Sequence, residues 1–250
     1  RDVLGSRGLG DVYKRQGYVM RKVIVAIITC LLIITYIVPV NTFAIDNSDK
    51  VILIDPGHGG IDGGAQSKTG TIEKDINLQI ALKLRDNLEE KGYKVYMTRD
   101  EDEGLYQKGN TVKEKKREDL NRRVEMKKET ECDIFVSIHQ NMFPQSKCYG
   151  AQVWYASNDN SYNLATVVQD SIKESVKDNN KRVAKPAAEA YLILRDKYEA
   201  ASILVECGFL SNPDEEAKLK SDEHQNLIVE GISGGIDKYF DGDVNKNVES

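Results

Sequence analysis

The chain has 250 residues, 40% of them hydrophobic and 30% charged, a composition typical of one globular domain rather than of a disordered chain. Its formal net charge of −5 argues against a nucleic-acid-binding protein with a large basic face. Four cysteines without a CxxC pair are too few for a disulfide scaffold and suggest no zinc ribbon. A small globular enzyme or binding domain is therefore expected.

The N-terminal part of the chain has the pattern of an export segment. Residues 23–38 read VIVAIITCLLIITYIV without a charge, Arg21 and Lys22 precede them, and Ala44 offers a cleavage position. The run falls just short of the roughly 17–25 residues that span a bilayer, so we favour a cleaved signal peptide over an uncleaved anchor. Either form exports the rest of the chain, and any contact with a membrane is expected only through residues 20–44.

These patterns divide the chain into five segments. Residues 1–19 have no hydrophobic period and precede a natural start at Met20, so we interpret them as an artefactual leader. An export segment is predicted at 20–44, a polar linker at 45–50, the functional domain at 51–240 and a polar tail at 241–250.

Strand-like and helix-like segments alternate along the functional domain. The run VILI at 51–54 is typical of a buried strand, and apolar residues at helical spacing predict a helix over 73–91. Further strands are expected at 93–98, 133–138, 151–156 and 203–205, and further helices at 119–129, 161–176, 213–220 and 223–239. This alternation predicts an α/β fold, a single three-layer domain whose mostly parallel or mixed central sheet is flanked by helices.

The hydrophobic period is lost between Arg99 and Leu120. The segment begins with four acidic residues at 100–103 and ends in KEKKRE at 113–118. We interpret it as a solvated surface loop. The alternative is a rim or lid over a cleft, because so long a connection inside a compact domain is uncommon unless it is functional or mobile.

Two of the three histidines directly follow predicted buried strands. His58 comes after VILIDPG and His139 after DIFVSI, whereas His224 lies in the polar segment SDEHQN and has the features of a surface residue. Ligands in open α/β sheets collect at the carboxyl ends of the strands. The imidazoles of His58 and His139 are therefore expected at one sheet edge, where they can share a cation.

A catalytic zinc ion usually has three protein ligands, with histidines and a carboxylate as preferred donors. The candidates for the third donor are Asp55, Asp62, Glu73 and Glu206. Glu73 opens a helix after a glycine-rich loop, so the chain can fold it back toward His58. Glu206 closes the apolar strand SILV, and a carboxylate at a strand end beside a metal is a candidate general base.

Two simpler interpretations compete with the metal site. The glycines at 57, 59, 60, 63 and 64 also suit a phosphate at a helix start, and Glu73 alone is an ordinary helix N-terminal charge. The glycine loop matches neither GxGxxG nor the GK[ST] of a P-loop. On spacing alone, a zinc hydrolase is only slightly favoured.

Four motifs in register carry a resemblance to a known family. LIDPGHGGIDGGA begins at Leu53, IEKDINL at Ile72, SIHQN at Ser137 and LVECGFLSNPDE at Leu204. Together they resemble the zinc-dependent N-acetylmuramoyl-L-alanine amidases of bacterial cell-wall metabolism, the amidase-3 type, over roughly residues 51–240.

The resemblance implies that His58, Glu73 and His139 bind one catalytic zinc ion and that Glu206 is the catalytic carboxylate. The implied reaction is hydrolysis of the amide bond between the lactyl group of N-acetylmuramic acid and L-alanine of the peptidoglycan stem peptide. Glu206 would take a proton from water and pass it to the leaving amine. Asp55 is either the carboxylate partner of a ligand histidine or a turn residue before Pro56.

The chain is also similar to the single-domain, germination-specific amidases of spore formers, notably in KEKKREDLNRRV and YGAQVWY. This similarity implies a role in forming muramic-δ-lactam in spore cortex, in the cell wall or the intermembrane space of the forespore. It further implies that this enzyme is a candidate for activation by a partner protein. Homologues often have a proline before the strand that ends in the catalytic glutamate, where this chain has Glu199-Ala-Ala-Ser202.

Three rival functions fit parts of the same pattern: a zinc peptidase that cuts the stem peptide, a noncatalytic wall-binding protein, and a phosphate- or nucleotide-binding protein. A cysteine hydrolase is disfavoured, because it needs a histidine base and both suitable histidines are assigned to the metal. Removal of the export segment with Cys30 leaves Cys132, Cys148 and Cys207, which we interpret as buried or neutral residues.

Overall fold

The structure, a computed structural model, describes residues 18–28 and 47–242. Residues 18–28 are helical and belong to a unit separate from the one that contains 47–242. None of the described helices is long and apolar enough to cross a membrane. Most of the predicted leader, the export segment from residue 29 on, including Cys30 and Ala44, and the tail from residue 243 on lie outside the described residues.

Within the described residues, six strands form one mixed sheet flanked by helices, which confirms the predicted fold. The strands are β1 (Val51–Pro56), β2 (Lys94–Met97), β3 (Ile134–Asn141), β4 (Gln152–Tyr155), β5 (Lys185–Pro186) and β6 (Ala201–Phe209). The helices are α1 (Glu73–Glu90), α2 (Val112–Thr130), α3 (Asp159–Val176), α4 (Pro213–Leu219) and α5 (Asp222–Phe240), with a 3-10 turn at Leu192–Leu194.

The strand order is β2-β1-β3-β6-β4-β5, and the first four of these strands run parallel. β4 runs antiparallel to β6 and makes the sheet mixed. Because β1, β3 and β6 are parallel neighbours, their carboxyl ends lie at the same edge of the sheet. His139 of β3 pairs directly with Glu206 of β6 at this edge.

Both faces of the sheet are buried, because successive side chains of a strand point to opposite faces. Ile52 and Ile54 belong to the larger apolar cluster, which includes the inner faces of α1, α3 and α5. Leu53 belongs to a smaller cluster with Phe135 and Ile193, the last of which lies in the 3-10 turn. The central strands are therefore continuous apolar runs in the sequence, which is why they are predicted correctly.

The sequence predicts a surface loop over 99–120, but the residues from Val112 onward are helical. A capping box begins α2: the Thr111 hydroxyl accepts a hydrogen bond from the Glu114 N–H, and the Glu114 carboxylate accepts one from the Thr111 N–H. The buried residues of α2 include Arg123 and Lys127, in place of the apolar residues that usually face a core. The hydrophobic period that marks most helices is therefore weak here.

The expectation that His224 lies on the surface is wrong. His224 is buried in the first turn of α5, whose N-terminus is capped by the Ser221 hydroxyl. It precedes the buried residues Ile228 and Ile232 by one and two helical turns, so it shares their inward face. Burial lowers the pKa of this imidazole, which favours its neutral form.

Candidate metal centre and catalytic cleft

Three side chains from three elements meet at the carboxyl edge of the sheet. His58 lies in the loop after β1, Glu73 begins α1 and His139 lies in β3. Glu73 Oε1 is 3.2 Å from His58 Nε2 and 2.9 Å from His139 Nδ1. One candidate ligand atom from each residue lies within 4.8 Å of the other two. The structure thus brings together the three residues proposed as ligands from the sequence.

This donor set fits a zinc ion. Two imidazoles and one carboxylate are donors that catalytic zinc sites use. Tetrahedral coordination with ordinary zinc–ligand bonds places ligand atoms about 3.3 Å apart. Glu73 Oε1 lies 2.9 and 3.2 Å from the two histidine nitrogens, and candidate donor atoms of all three residues lie within 4.8 Å of one another. The nearby carboxylates of Asp62 and Glu206 add negative charge that favours a divalent cation.

Two glycines of the loop between β1 and α1 allow its backbone to pack against the candidate ligands. A Cβ atom on Gly57 would lie 2.2 Å from the Nε2 atom of His139. Gly64 has a φ angle of 69°, and a Cβ atom there would lie 2.5 Å from Glu73 Oε2. The same carboxylate oxygen accepts a hydrogen bond from the Ala65 N–H at 2.8 Å. The glycines are therefore required by close contact with His139 and Glu73.

The loop's own groups occupy the N–H donors that a phosphate would need. The Gly59 N–H donates to the Asp62 carbonyl at 2.9 Å. The Gly60 N–H donates to the Asp102 carboxylate at 2.9 Å, and the Gly64 N–H to the Asp62 carboxylate at 3.3 Å. A phosphate-binding loop instead leaves such donors free for its ligand, so this geometry disfavours the phosphate interpretation.

Asp62 supports His58 from the side opposite Glu73. The Nδ1 atom of His58 donates to Asp62 Oδ2 at 2.9 Å, which leaves Nε2 facing Glu73. Lys116 of α2 lies 2.8 Å from the other Asp62 oxygen. Metal-bound imidazoles commonly donate their second N–H to a carboxylate in this way. Asp62, weighed from the sequence as a ligand, thus lies where it orients one.

Asp55 makes no hydrogen bond to His58 or His139, so the interpretation of Asp55 as the carboxylate partner of a ligand histidine is not supported. Asp55 is fully buried, and its carboxylate accepts hydrogen bonds from Thr98 at 2.7 Å and Ser137 at 2.6 Å. Its third partner is the guanidinium of Arg123. Burial raises the pKa of Asp55, but Arg123 and the two hydroxyls outweigh that effect and lower it. Asp55 is therefore a charged anchor between the sheet and α2.

The carboxylates around His58 stabilise positive charge on its ring. Burial would lower the pKa of His58, but the hydrogen bonds to Asp62 and Glu73 raise it to about 9. Burial would raise the pKa of Glu73, yet hydrogen bonds from His139 and His58 hold it well below its usual range. A proton on His58 and a metal ion at Nε2 therefore compete for the same negative surroundings.

Glu206 is a buried carboxylate beside this group. It is 7% exposed, and its Oε1 atom accepts a hydrogen bond from the Tyr191 hydroxyl at 3.3 Å. Its Oε2 atom has no hydrogen-bond partner among the described residues. Burial raises the pKa of Glu206 above its ordinary value. One oxygen is thus held in place while the other is available for proton transfer.

A cleft of about 440 Å³ is lined by the three candidate ligands, His58, Glu73 and His139, together with Glu206. Residues 190–193 contribute to its lining from the segment before β6, and Lys116 and Leu120 contribute from α2. Asn141 at the end of β3 also lines it.

The three cysteines in the described residues are free thiols; Cys132 and Cys207 are buried, and Cys148 is half-buried. Cys207 adjoins Glu206 but is fully buried, and burial strongly raises the pKa of its thiol. A thiol held in its protonated form is a poor nucleophile. Cys207 is therefore not a candidate nucleophile of this cleft.

Comparisons with known proteins agree with this geometry. The Amidase_3 family, described as N-acetylmuramoyl-L-alanine amidase, matches residues 52–238. The germination-specific N-acetylmuramoyl-L-alanine amidase of Bacillus subtilis is 37% identical over 195 residues, which cover 77% of this chain and 81% of that protein.

Solved structures give the same result. The CwlD amidase from Clostridioides difficile, determined in complex with the GerS lipoprotein, is 42% identical with a TM-score of 0.74 over 77% of this chain and 99% of that one. The catalytic domain of CwlV, an N-acetylmuramoyl-L-alanine amidase from Bacillus (Paenibacillus) polymyxa, is 29% identical with a TM-score of 0.66 over 77% and 98%.

The described residues thus form a three-layer α/β domain whose cleft, at the carboxyl edge of the sheet, is lined by His58, Glu73, His139 and Glu206, and the matches above identify this class of protein as a hydrolase. The chain is a member of the N-acetylmuramoyl-L-alanine amidase family. Its activity is hydrolysis of the amide bond between N-acetylmuramic acid and L-alanine in peptidoglycan. The family, enzyme class and activity expected from the sequence are confirmed, whereas the rival functions receive no support.

Proposed function

We propose that this amidase depends on zinc, with His58, Glu73 and His139 as ligands and Glu206 as the catalytic carboxylate. The observation that carries the proposal is the meeting of three suitable donors within 4.8 Å of one another, in a cleft that Glu206 also lines. Zinc bound there would polarise the lactyl carbonyl of the substrate and lower the pKa of the attacking water to ~7.

The protein's own groups then position and move protons. Glu206 takes the proton of the attacking water on its unpaired Oε2 atom and gives it to the departing amine of L-alanine. Tyr191 holds the other oxygen of Glu206 in place through its hydroxyl. Asp62 fixes the ring orientation and tautomer of His58 through Nδ1.

We further infer that the substrate is the peptidoglycan of the spore cortex. The support is the resemblance to the relative from Bacillus subtilis that is named germination-specific. Removal of the stem peptide leaves the lactyl carboxyl group of muramic acid free. A later lactam-forming step needs that product, so this reaction would precede formation of muramic-δ-lactam.

We also propose that the enzyme is exported and acts with a lipoprotein partner. Export rests on the signal-like pattern of residues 20–44. The partner rests on the complex in which the similar CwlD amidase was determined. A location in the cell wall or the intermembrane space of the forespore follows from the cortex substrate.

Mass spectrometry of digested peptidoglycan tests the proposed reaction. Spore and vegetative peptidoglycan are incubated with the zinc-loaded protein, with and without a GerS-type lipoprotein. We expect glycan strands with peptide-free muramic acid and stem peptides that begin with a free L-alanine amine. Stronger cleavage with the lipoprotein supports the partner. Alanine that stays on muramic acid would identify a peptidase, and no product under any condition would contradict the proposal.

A further inference from the structure

Two buried arginines converge on the loop that carries His58. Arg99 follows β2 and Arg123 lies in α2, and both residues are far from His58 in sequence. Only 2% of Arg99 and 1% of Arg123 is exposed. Both guanidiniums therefore direct their donors at protein groups rather than at solvent.

The two guanidiniums bind three successive carbonyl groups, those of residues 56–58. Arg99 donates to Pro56 at 3.0 Å, to Gly57 at 3.1 Å and to His58 at 2.7 Å. Arg123 donates to Pro56 at 2.9 Å and to His58 at 2.7 Å. The carbonyl of His58 thus accepts two charge-assisted hydrogen bonds, one from each arginine.

The backbone of His58 needs such support. Its φ angle is 64°, in the left-handed region that non-glycine residues seldom adopt. Such a conformation persists when the surrounding structure fixes it. The two guanidiniums on the His58 carbonyl provide that restraint, and the Asp62 carboxylate restrains the other end of the residue at Nδ1.

A contribution to folding stability alone explains the two buried guanidiniums poorly. Burying two like charges beside one carbonyl removes both from water and sets them against each other. Arg123 is compensated by Asp55 and Asp119. Arg99 instead gives its remaining donors to the backbone carbonyls of Glu101 and Lys74. Its hydrogen bonds organise the loop around His58.

We propose that Arg99 and Arg123 are positioning residues for the metal centre. They hold His58 in its left-handed conformation, so that Nε2 faces Glu73 before a metal ion binds. This inference rests on the proposed role of His58 as a ligand. A ligand that is already in place loses less conformational freedom on binding, so the pair should raise the affinity for zinc.

The test compares zinc dissociation constants of the full chain and its Arg99→Lys and Arg123→Lys variants, measured by competition with a chromophoric chelator. Lysine keeps the charge but has one nitrogen in place of the planar fork. We expect each variant to bind zinc roughly 10–100-fold more weakly, the range found for groups that orient metal ligands.

Lys127→Met is the matched control. Lys127 is a fully buried cation on the same helix, four residues after Arg123, but its partners are the Ile193 carbonyl and Asp196. The variant is expected to lower the unfolding temperature of the metal-free protein while leaving the zinc affinity unchanged. Unfolding temperatures are recorded for all variants.

The outcomes separate this inference from the proposed function. Unchanged zinc affinity in both arginine variants, with tight binding by the wild type, overturns the positioning role alone. An equal loss of affinity in Lys127→Met also overturns it, because general destabilisation then suffices. Absence of zinc binding by the wild type overturns both proposals.

A second measurement needs no variant and is able to overturn the inference even if the arginine variants fail to fold. Amide hydrogen exchange at residues 57–62 of the metal-free wild type should be as slow as in the zinc-loaded protein. The Gly59 and Asp62 N–H groups, which bond to each other's carbonyls, are the reporters. A loop that gains its protection only when zinc is added would overturn the inference.

Discussion

At the residue scale, two buried glutamates at one sheet edge have pKa values that move in opposite directions. Hydrogen bonds from His139 and His58 lower the pKa of Glu73 despite its burial. Among the described residues, the Tyr191 hydroxyl alone donates a hydrogen bond to the Glu206 side chain, and burial raises the pKa of Glu206. The first environment keeps a carboxylate charged, as a metal ligand must be, whereas the second suits a group that takes and releases a proton.

Glu206→Gln is expected to reduce turnover by ~10²–10⁴-fold, the usual contribution of a general acid–base group. The amide keeps the shape of the side chain but does not accept the proton, so bound zinc should remain. Steady-state hydrolysis and metal content are measured on the same sample. Glu215→Gln makes the same change at a buried carboxylate that bonds to the Gly150 N–H and should retain activity. Normal activity in Glu206→Gln would refute the assigned role.

The affinity for zinc is expected to fall as pH decreases. The pKa of His58 is raised to about 9 in the metal-free protein, so below that pH the ring is mostly protonated and zinc must displace the proton. The apparent dissociation constant for zinc should therefore decrease steadily as the pH rises from mildly acidic values to about 9, and should be constant above that pH. Chelator competition across this range measures it. Affinity that is independent of pH would show that His58 does not exchange a proton for the metal.

At the element scale, the segment between β5 and β6 forms part of the cleft and presents Tyr191 to Glu206. The buried ammonium of Lys127 on α2 binds the Ile193 carbonyl of this segment, and its contact with Asp196 is 3.1 Å. The segment is thus attached to the same helix that carries Arg123. Loss of the Lys127 contact is therefore expected to disturb Tyr191 and Glu206, whereas the His58 loop is held by Arg99 and Arg123.

Tyr191→Phe is expected to lower kcat with little change in KM or zinc content. The hydroxyl donates to the charged form of Glu206, so its loss raises the pKa of that carboxyl group. The acidic limb of the rate profile should therefore move to higher pH. Tyr198→Phe is the control, because its hydroxyl donates to the Cys132 carbonyl at 3.1 Å and not to Glu206. An unchanged pH profile in Tyr191→Phe would contradict the account.

The capping box of α2 gives a separate prediction about stability. Thr111→Ala removes the side-chain oxygen that accepts from the Glu114 N–H, so it should reduce the free energy of unfolding by ~1 kcal/mol. Urea denaturation measures the change. Thr111→Ser keeps the oxygen and should retain most of the stability. A loss as large in the serine variant would show that the cap is not responsible.

The sequence locates elements well where their buried faces are apolar. The helix predicted over 73–91 is Glu73–Glu90, and the strand predicted over 133–138 is Ile134–Asn141. The start of α2 is missed because none of residues 112–118 is buried, so this part of the helix shows no apolar period. The available signal was the capping box, in which Glu114 follows Thr111 by three residues.

At the scale of the whole molecule, the topology explains how much of the site the sequence predicts. Parallel strands deliver His58 and His139 to one edge, so their meeting follows from the order of the elements. Choosing Glu73 over the other carboxylates needed the family resemblance. Tyr191 was not identified, because its position beside Glu206 depends on tertiary packing and its segment has no periodicity.

The metal content of the purified full chain is the sharpest test of the proposed zinc site. Wild type and Glu206→Gln should each contain close to one zinc ion per chain, since Glu206 is assigned a role in proton transfer rather than in binding. His58→Ala and His139→Ala should contain far less, because each loses one of three ligands. Elemental analysis after removal of loosely bound metal gives the four values. No zinc in the wild type, or equal zinc in all four proteins, would contradict the account.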